Sequence, residues 1–504
     1  MAALYRLPLL LLLTGLSSAS MILPAAVALA EQEFHDARSF FYAGIVGMVL
    51  TALTGIAMSN RRYNRTASRQ LFALLLAFVL LPALFAVPFH EAVRTTTFLN
   101  AFFEMVSSFT TTGATLFDPT RLSSAEHLWR AQVGWMGGLL MWVAAAAILA
   151  PLTLGGFEIT ARGEPGQSVD AGAAQRDMSD PAQRLIVSAR HLVPIYSGLT
   201  LALWIMLMMA GDPPLIAASH AMSTLSTSGI SPVGGPVGSS AGLAGEMILF
   251  CFLFFALSRL TFSSDTGAAF RPGLREDPEF RLGIVISALV PLALFLRHWI
   301  ASFDIGTESN LTQGLGALWG GVFTALSFLS TTGFVSKQWV AAQGWSGLPT
   351  PGLILMGLAI VGGGVATTAG GVKLLRIYAL YLAGKRELER LVHPHSIGRN
   401  GALARRMRRQ GAFIAWVFFM LFAMSVAVFS LIFSIFNIDF ENAMVLTIAG
   451  LTNCGPLIPF AAEVPVNLAQ LNDGAKLVLG GVMVLGRLEL MAIIVLLTPD
   501  LWRD

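Results

Sequence analysis

Apolar residues in this chain come in runs too long for a soluble core. Residues 7–30 and 39–58 are almost wholly apolar. Further runs cover 70–88, 128–151, 191–210, 243–262, 282–300, 350–383, 411–436 and 475–498. A helix needs roughly 20 such residues to cross a bilayer, so the pattern predicts about ten spanning helices. The last eight runs form four pairs. Between the partners of each pair lies one more segment, at 97–110, 215–229, 312–333 and 441–455. Each ends in a small hydroxyl- or amide-rich stretch with one glycine: Thr110-Thr111-Thr112-Gly113, Ser226-Thr227-Ser228-Gly229, Ser330-Thr331-Thr332-Gly333 and Thr452-Asn453-Cys454-Gly455. The period is too long for a solenoid repeat and fits a helix–loop–helix membrane module.

The polar positions give this pattern a direction. Arg61, Arg62, Arg65 and Arg69 follow the second run. The charged connector 158–190 carries Arg162, Arg176, Arg184 and Arg190, and the next exit carries Arg259, Arg271, Arg275 and Arg281. The most basic stretch includes Lys373, Arg376, Lys385, Arg386, Arg390, Arg399, Arg405, Arg406, Arg408 and Arg409. On the glycine-loop side the basic residues are sparse: Arg94, Arg121, Arg130, Arg297, Lys337 and Lys476. The bias of Lys and Arg toward cytoplasmic loops then puts the connectors and both termini inside and the glycine loops outside. The expected divisions are a helix pair at 1–69, a first repeat at 70–157, a connector and second repeat at 158–262, a connector and third at 263–384, and a basic connector and fourth at 385–504. The first run ends Ala28-Leu29-Ala30 before Glu31, as a cleaved signal peptide would; the reading adopted is a retained helix.

Composition narrows the class. Hydrophobic residues make up 55% and charged residues 12%, against about 25% charge in soluble domains. The net charge of +3 gives no reason to expect nucleic acid. Cys251 and Cys454 supply neither a disulfide framework nor a zinc spacing. Gly362-Gly363-Gly364 is not followed by the Lys-Ser/Thr of a phosphate loop. No catalytic constellation is visible, and neither an enzyme nor a cofactor is expected.

Non-helical backbone at membrane depth survives only where protein buries it or water lines it. Four such loops on one side most economically share one pore, where backbone carbonyls can replace the hydration shell of potassium. A helix pointing its C-terminal end at the axis favours a cation, and glycine lets the chain turn its carbonyls inward through positive φ. Ordinary tight turns are the alternative for any single loop. Two further features stand out. The stretch 362–371 holds five glycines, which disfavour helix by about 1 kcal/mol each; an intramembrane loop and close helix packing both fit. Arg487 lies in an apolar stretch, where a charge needs a polar interior or a partner such as Glu489. Glu104 and Glu441 are expected to serve the dipoles of two pore helices. Lys373 is either a cytoplasmic anchor or part of the glycine run's site, and Glu246 has no assigned role.

Four motifs carry a family resemblance: Phe103-Glu104 through Thr115; Gly362 to Lys373 with Leu374-Leu375-Arg376; Arg386-Glu387-Leu388-Glu389-Arg390-Leu391-Val392-His393-Pro394; and Gly486-Arg487-Leu488-Glu489. With them the chain resembles the Trk/Ktr/HKT superfamily of potassium transporters, most closely its TrkH-type branch. The resemblance implies an all-α polytopic membrane protein of four membrane–pore–membrane repeats around one central pore, plus two N-terminal helices. It implies potassium uptake across the bacterial inner membrane. The implied filter, where K⁺ binds, is Thr111, Thr112, Gly113, Thr227, Ser228, Gly229, Thr331, Thr332, Gly333, Asn453, Cys454 and Gly455. The implied gate is Gly362, Gly363, Gly364, Thr367, Thr368, Gly370 and Gly371 with Arg487. It further implies a homodimer and a cytoplasmic, nucleotide-binding regulatory subunit of the TrkA type, docking near the basic 385–409 connector, which membrane lipid would also attract. Ser228, Asn453-Cys454 and the trio Gly364, Val365 and Thr367 depart from the family pattern. The alternative is a secondary transporter of another cation or small solute, built on inverted repeats; here the modules share one orientation.

Overall fold

A computed structural model of the chain describes residues 8–58, 67–157, 181–258, 277–302, 311–346, 351–393 and 411–497. Among these residues all regular structure is helical. The connectors 158–180, 259–276 and 394–410, with Arg61, Arg62 and Arg65, lie outside the described residues.

The first apolar run is a helix nearly continuous from Leu9 to Ala30. It lies against Phe34–Met58, where two glycines set the contact. A β-carbon at Gly44 would stand 2.9 Å from the Ser18 carbonyl oxygen, and one at Gly47 2.3 Å from the Ser18 hydroxyl. Small residues at such a seam let two membrane helices approach closely. Buried shares separate centre from rim: 78% of the window in Ser124–Leu149 is buried, against 17% in Phe34–Met58. The outer helices present their apolar faces to lipid.

Among the described residues, seven helices are long and apolar enough to span, or eight if Asp473–Leu488 and Leu490–Leu496 count as one bent span. The expectation of about ten counted Gly242–Ala256 and Gly352–Val361 as full spans, and both are shorter. Three boundaries differ for identifiable reasons. Residues 181–190, expected in a connector, are the first turns of Pro181–Met209. Residues 385–392 likewise prolong Leu374–Val392. The run 475–498 is broken at Glu489, whose φ of +63° ends one helix and turns the next by 90°.

The four short segments are helices, and the starts of three are written locally. Thr97 caps Phe98–Phe109 by accepting from the Asn100 N–H at 3.3 Å, and Asp439 caps Phe440–Thr452 through the Asn442 N–H at 3.1 Å. Pro214 opens Pro214–Ser226, a position where its missing N–H costs nothing. The third pore helix is Leu311–Leu329. The return span after the first loop begins at a capping box between Ser123 and Glu126.

Candidate ion filter and gate

All four pore helices end in the same way. The second residue before each glycine is left-handed: Thr111 (φ +56°), Thr227 (+53°), Thr331 (+59°) and Asn453 (+52°). The next N–H reaches back five residues to a helix carbonyl: Thr112 to Ser107 at 2.8 Å, Ser228 to Ser223 at 2.9 Å, Thr332 to Ser327 at 3.0 Å and Cys454 to Ala449 at 2.9 Å. This is a Schellman ending, which consumes otherwise unsatisfied carbonyls at the helix end. A β-branched residue in that conformation is strained, so three threonines there mark backbone held by its surroundings. Asparagine tolerates the same conformation more easily. The odd residue of the fourth loop thus keeps the shared geometry.

The loops meet in a ring. A β-carbon at Gly113 would lie 1.9 Å from the Ser228 carbonyl oxygen, and one at Gly229 2.2 Å from that of Thr332. One at Gly333 would lie 2.8 Å from Pro456 and 3.2 Å from the Cys454 sulfur. One at Gly455 would lie 2.2 Å from the Ala114 nitrogen and 2.6 Å from the Thr112 carbonyl oxygen. Each glycine is therefore packed by the loop that follows it in the chain, and the fourth by the first. The twelve expected filter residues come together, with one correction. Gly113, Gly229 and Gly333 have positive φ, but Gly455 opens the 3-10 turn Gly455–Leu457 and donates its N–H to the Thr112 carbonyl at 2.6 Å. Glycine is required there by close approach, not by backbone handedness.

Residues 362–373 interrupt the third repeat's return helix between Gly352–Val361 and Leu374–Val392. The interruption is a hairpin closed on itself, its ends joined by Val372 N–H to the Ile360 carbonyl (2.8 Å) and Leu374 N–H to the Gly363 carbonyl (2.9 Å). Its tip lies against the glycine loops. The Gly370 N–H donates to the Thr331 hydroxyl at 2.7 Å. The Thr368 hydroxyl donates to the Leu225 carbonyl at 2.9 Å. A β-carbon at Gly370 would stand 1.9 Å from the Thr452 carbonyl oxygen. Val365, stiffer than the small residues around it, fills the space left by Gly156, and its N–H donates to Glu279 at 3.0 Å.

Arg487 reaches this hairpin: one guanidinium nitrogen donates to the Thr368 carbonyl at 2.7 Å. Its helix comes close because Gly486 sits on the Leu451 carbonyl, 2.4 Å from where a β-carbon would be. The alternative partner is ruled out, because Glu489 pairs with Arg376 at 2.7 Å. Arg376 is fully buried and lies 3.7 Å over the Phe418 ring. Lys373 is not a surface anchor either; it is buried and its ammonium donates to the Ala369 carbonyl within the hairpin.

Three acids hold the outgoing limbs of the loops. Glu104 lies mid-helix, not in the first turn as the dipole reading required. It pairs with Arg130 at 2.7 Å and accepts from the Leu116 N–H at 3.0 Å. Arg130 is accordingly buried, not a loop residue. Glu246 accepts from Trp319, Ser336 and the Lys337 N–H at 2.7–2.8 Å. Asp212 accepts from the Ser239 hydroxyl at 2.6 Å and lies beside His220, which bonds Ser231 at 2.8 Å. Glu441 sits in a first turn and accepts from the Glu463 N–H. Sequence reasoning missed the Arg376–Glu489 and Glu104–Arg130 pairs. Their signal was present as opposite charges in separate apolar stretches, without anything to pair them.

A family model described as TrkH, cation transport protein, matches residues 37–236 and 316–502. The Trk system potassium uptake protein TrkH of Salmonella typhimurium is 31% identical, with 98% of each chain covered. The protein of the same name from Vibrio parahaemolyticus is 30% identical over 98% of each chain. The crystal structure of the potassium transporter TrkH from Vibrio parahaemolyticus superposes with a TM-score of 0.80 at 28% identity, covering 99% of both chains.

Proposed function

The chain belongs to the TrkH family of cation transport proteins, and from that premise we propose that its four glycine loops form a potassium filter gated from below by the 362–373 hairpin. The protein is a multi-pass membrane protein of potassium uptake and not an enzyme. The observation that carries the filter reading is the ring: four helix ends of one geometry whose glycines are packed in cyclic order. Carbonyls fixed in this way replace hydration without covalent chemistry. The buried Thr111 hydroxyl has no hydrogen-bond partner among the described residues; a passing ion or its water would satisfy it. The hairpin stands under three of the four loops, and Arg487 holds its tip. In this reading K⁺ passes the ring at Gly113, Gly229, Gly333 and Gly455, then waits on movement of Thr368 and Arg487. In this reading both termini lie on the cytoplasmic side of the inner membrane, which the basic connectors support. A homodimer and a cytoplasmic nucleotide-binding regulatory subunit complete the proposal, as does the division into four repeats at the boundaries given above.

Growth rescue of a bacterium lacking potassium uptake, with radioactive rubidium uptake competed by sodium, tests the whole reading; no rescue by well-inserted protein overturns it. Gly113→Ser tests the ring. The added atoms meet the Ser228 carbonyl and an unfavourable φ, so K⁺ preference over Na⁺ is expected to fall about tenfold, or ~1.4 kcal/mol. Unchanged competition by sodium would remove Gly113 from the filter. Shortening 364–369 removes the Thr368 contacts and is expected to raise basal rubidium flux; equal or lower flux in correctly inserted protein would favour a purely packing role.

A further inference from the structure

A cavity of about 490 Å³ lies away from the ring, bounded by the helices Leu9–Ser20, Ala67–Val93, Ser124–Ala144 and Pro181–Met209. Its walls are hydrocarbon for most of their length, with Leu13, Leu139, Val143 and Leu185 among them. An apolar cavity of this kind stays dry. One wall includes Leu16, which is 64% exposed, so the cavity opens sideways to the membrane. Its two ends differ. At one stands Arg69, exposed, in the first turn of Ala67–Val93. At the other is Phe109, the last residue of the first pore helix, its ring tilted against Phe78 and edge-on to Phe85 with centroids 4.9 and 5.3 Å away.

We propose that this cavity is a binding site for one anionic phospholipid, its headgroup at Arg69 and an acyl chain running inward to Phe109. The volume falls within the range of built small-molecule sites. The lateral opening admits a molecule from the bilayer and not from water. Among the described lining residues Arg69 is the basic one and sits at the end of the cavity, where a headgroup would stand, while the rest of the wall is mostly apolar, with Ser17, Ser20, Gln70 and Gln132 its polar members. Basic pockets between membrane helices bind anionic headgroups by the same combination. The cavity reaches the back of the first pore helix but is lined by none of the twelve proposed filter residues, so its test does not depend on the filter reading.

The full-length protein is reconstituted in phosphatidylethanolamine vesicles containing phosphatidylglycerol with a photoreactive acyl chain, and the labelled peptides are mapped. Label is expected in 9–20, 132–143 and 185–193. Ala73→Phe projects a ring into the cavity and is expected to lose the label while keeping its melting temperature; Ala189→Phe fills it from the facing helix should the first variant fold poorly. Arg69→Gln is expected to keep the label but lose about fivefold of the preference for phosphatidylglycerol over a matched phosphatidylethanolamine probe. Undiminished labelling in both filled variants, or recovery of detergent or a neutral isoprenoid in place of phospholipid, overturns the proposal.

Discussion

Replacing Arg487 by glutamine is expected to raise potassium flux about tenfold or more and to leave the preference for K⁺ over Na⁺ almost unchanged. A cation passing a guanidinium at ~4 Å is repelled by about 4 kcal/mol at an effective dielectric of ~20, and each ~1.4 kcal/mol of barrier is about tenfold in rate. Opening moves the side chain in any case, so the measured gain falls below the full figure. The second consequence of the change is mechanical. Thr368 loses the donor that holds it at 2.7 Å, and the hairpin tip is freed. Arg487→Lys keeps the charge but not the planar fork of donors and is expected to lie between. Rubidium uptake per unit of inserted protein decides the matter. Lower uptake in both Arg487→Gln and Arg487→Ala would make the residue structural.

Removing either partner of the Arg376–Glu489 pair is expected to cost most of the folded protein. Both side chains are buried, and a buried charge left alone costs about 3–5 kcal/mol, against a typical total stability of about 5–15 kcal/mol. Arg376→Ala and Glu489→Ala should each lower the melting temperature and the yield of monodisperse protein. Replacing both residues with glutamine removes both charges while retaining polar groups, and should recover much of the loss. If either single variant melts like the parent, the pair does not hold the bent helix to the helix that follows the hairpin.

Much of this arrangement was legible in the chain. The four polar runs ending in glycine carry the same local instruction, so their helix ends could be read one at a time. The glycine run at 362–371 announced a break because glycine costs the same in any helix interior. The contacts between distant segments were not legible. Nothing near Arg487 distinguishes Thr368 from Glu489 as its partner; that choice depends on Glu489 turning away at positive φ toward Arg376. Glu104 and Glu246 share a task although one lies in a pore helix and the other in a return helix, so repeat position alone could not match them. Gly455 taught a different lesson, since the same residue type in the same place answers crowding where its three counterparts also answer handedness.

The cyclic packing of the four loop glycines has a direction. Crowding introduced at one glycine strikes first the next repeat's loop, beside its glycine: Gly113 on Ser228, Gly229 on Thr332, Gly333 on Pro456 and then Cys454, and Gly455 on Ala114 and then Thr112. The four repeats are therefore not interchangeable copies but links that each lean on a successor. A second-site suppressor of a filter mutation should arise one repeat onward, and rarely in the repeat that carries the lesion. Drift in any one repeat is constrained by its neighbour on one side more than the other, so divergence among the repeats is expected to proceed in ordered pairs around the ring.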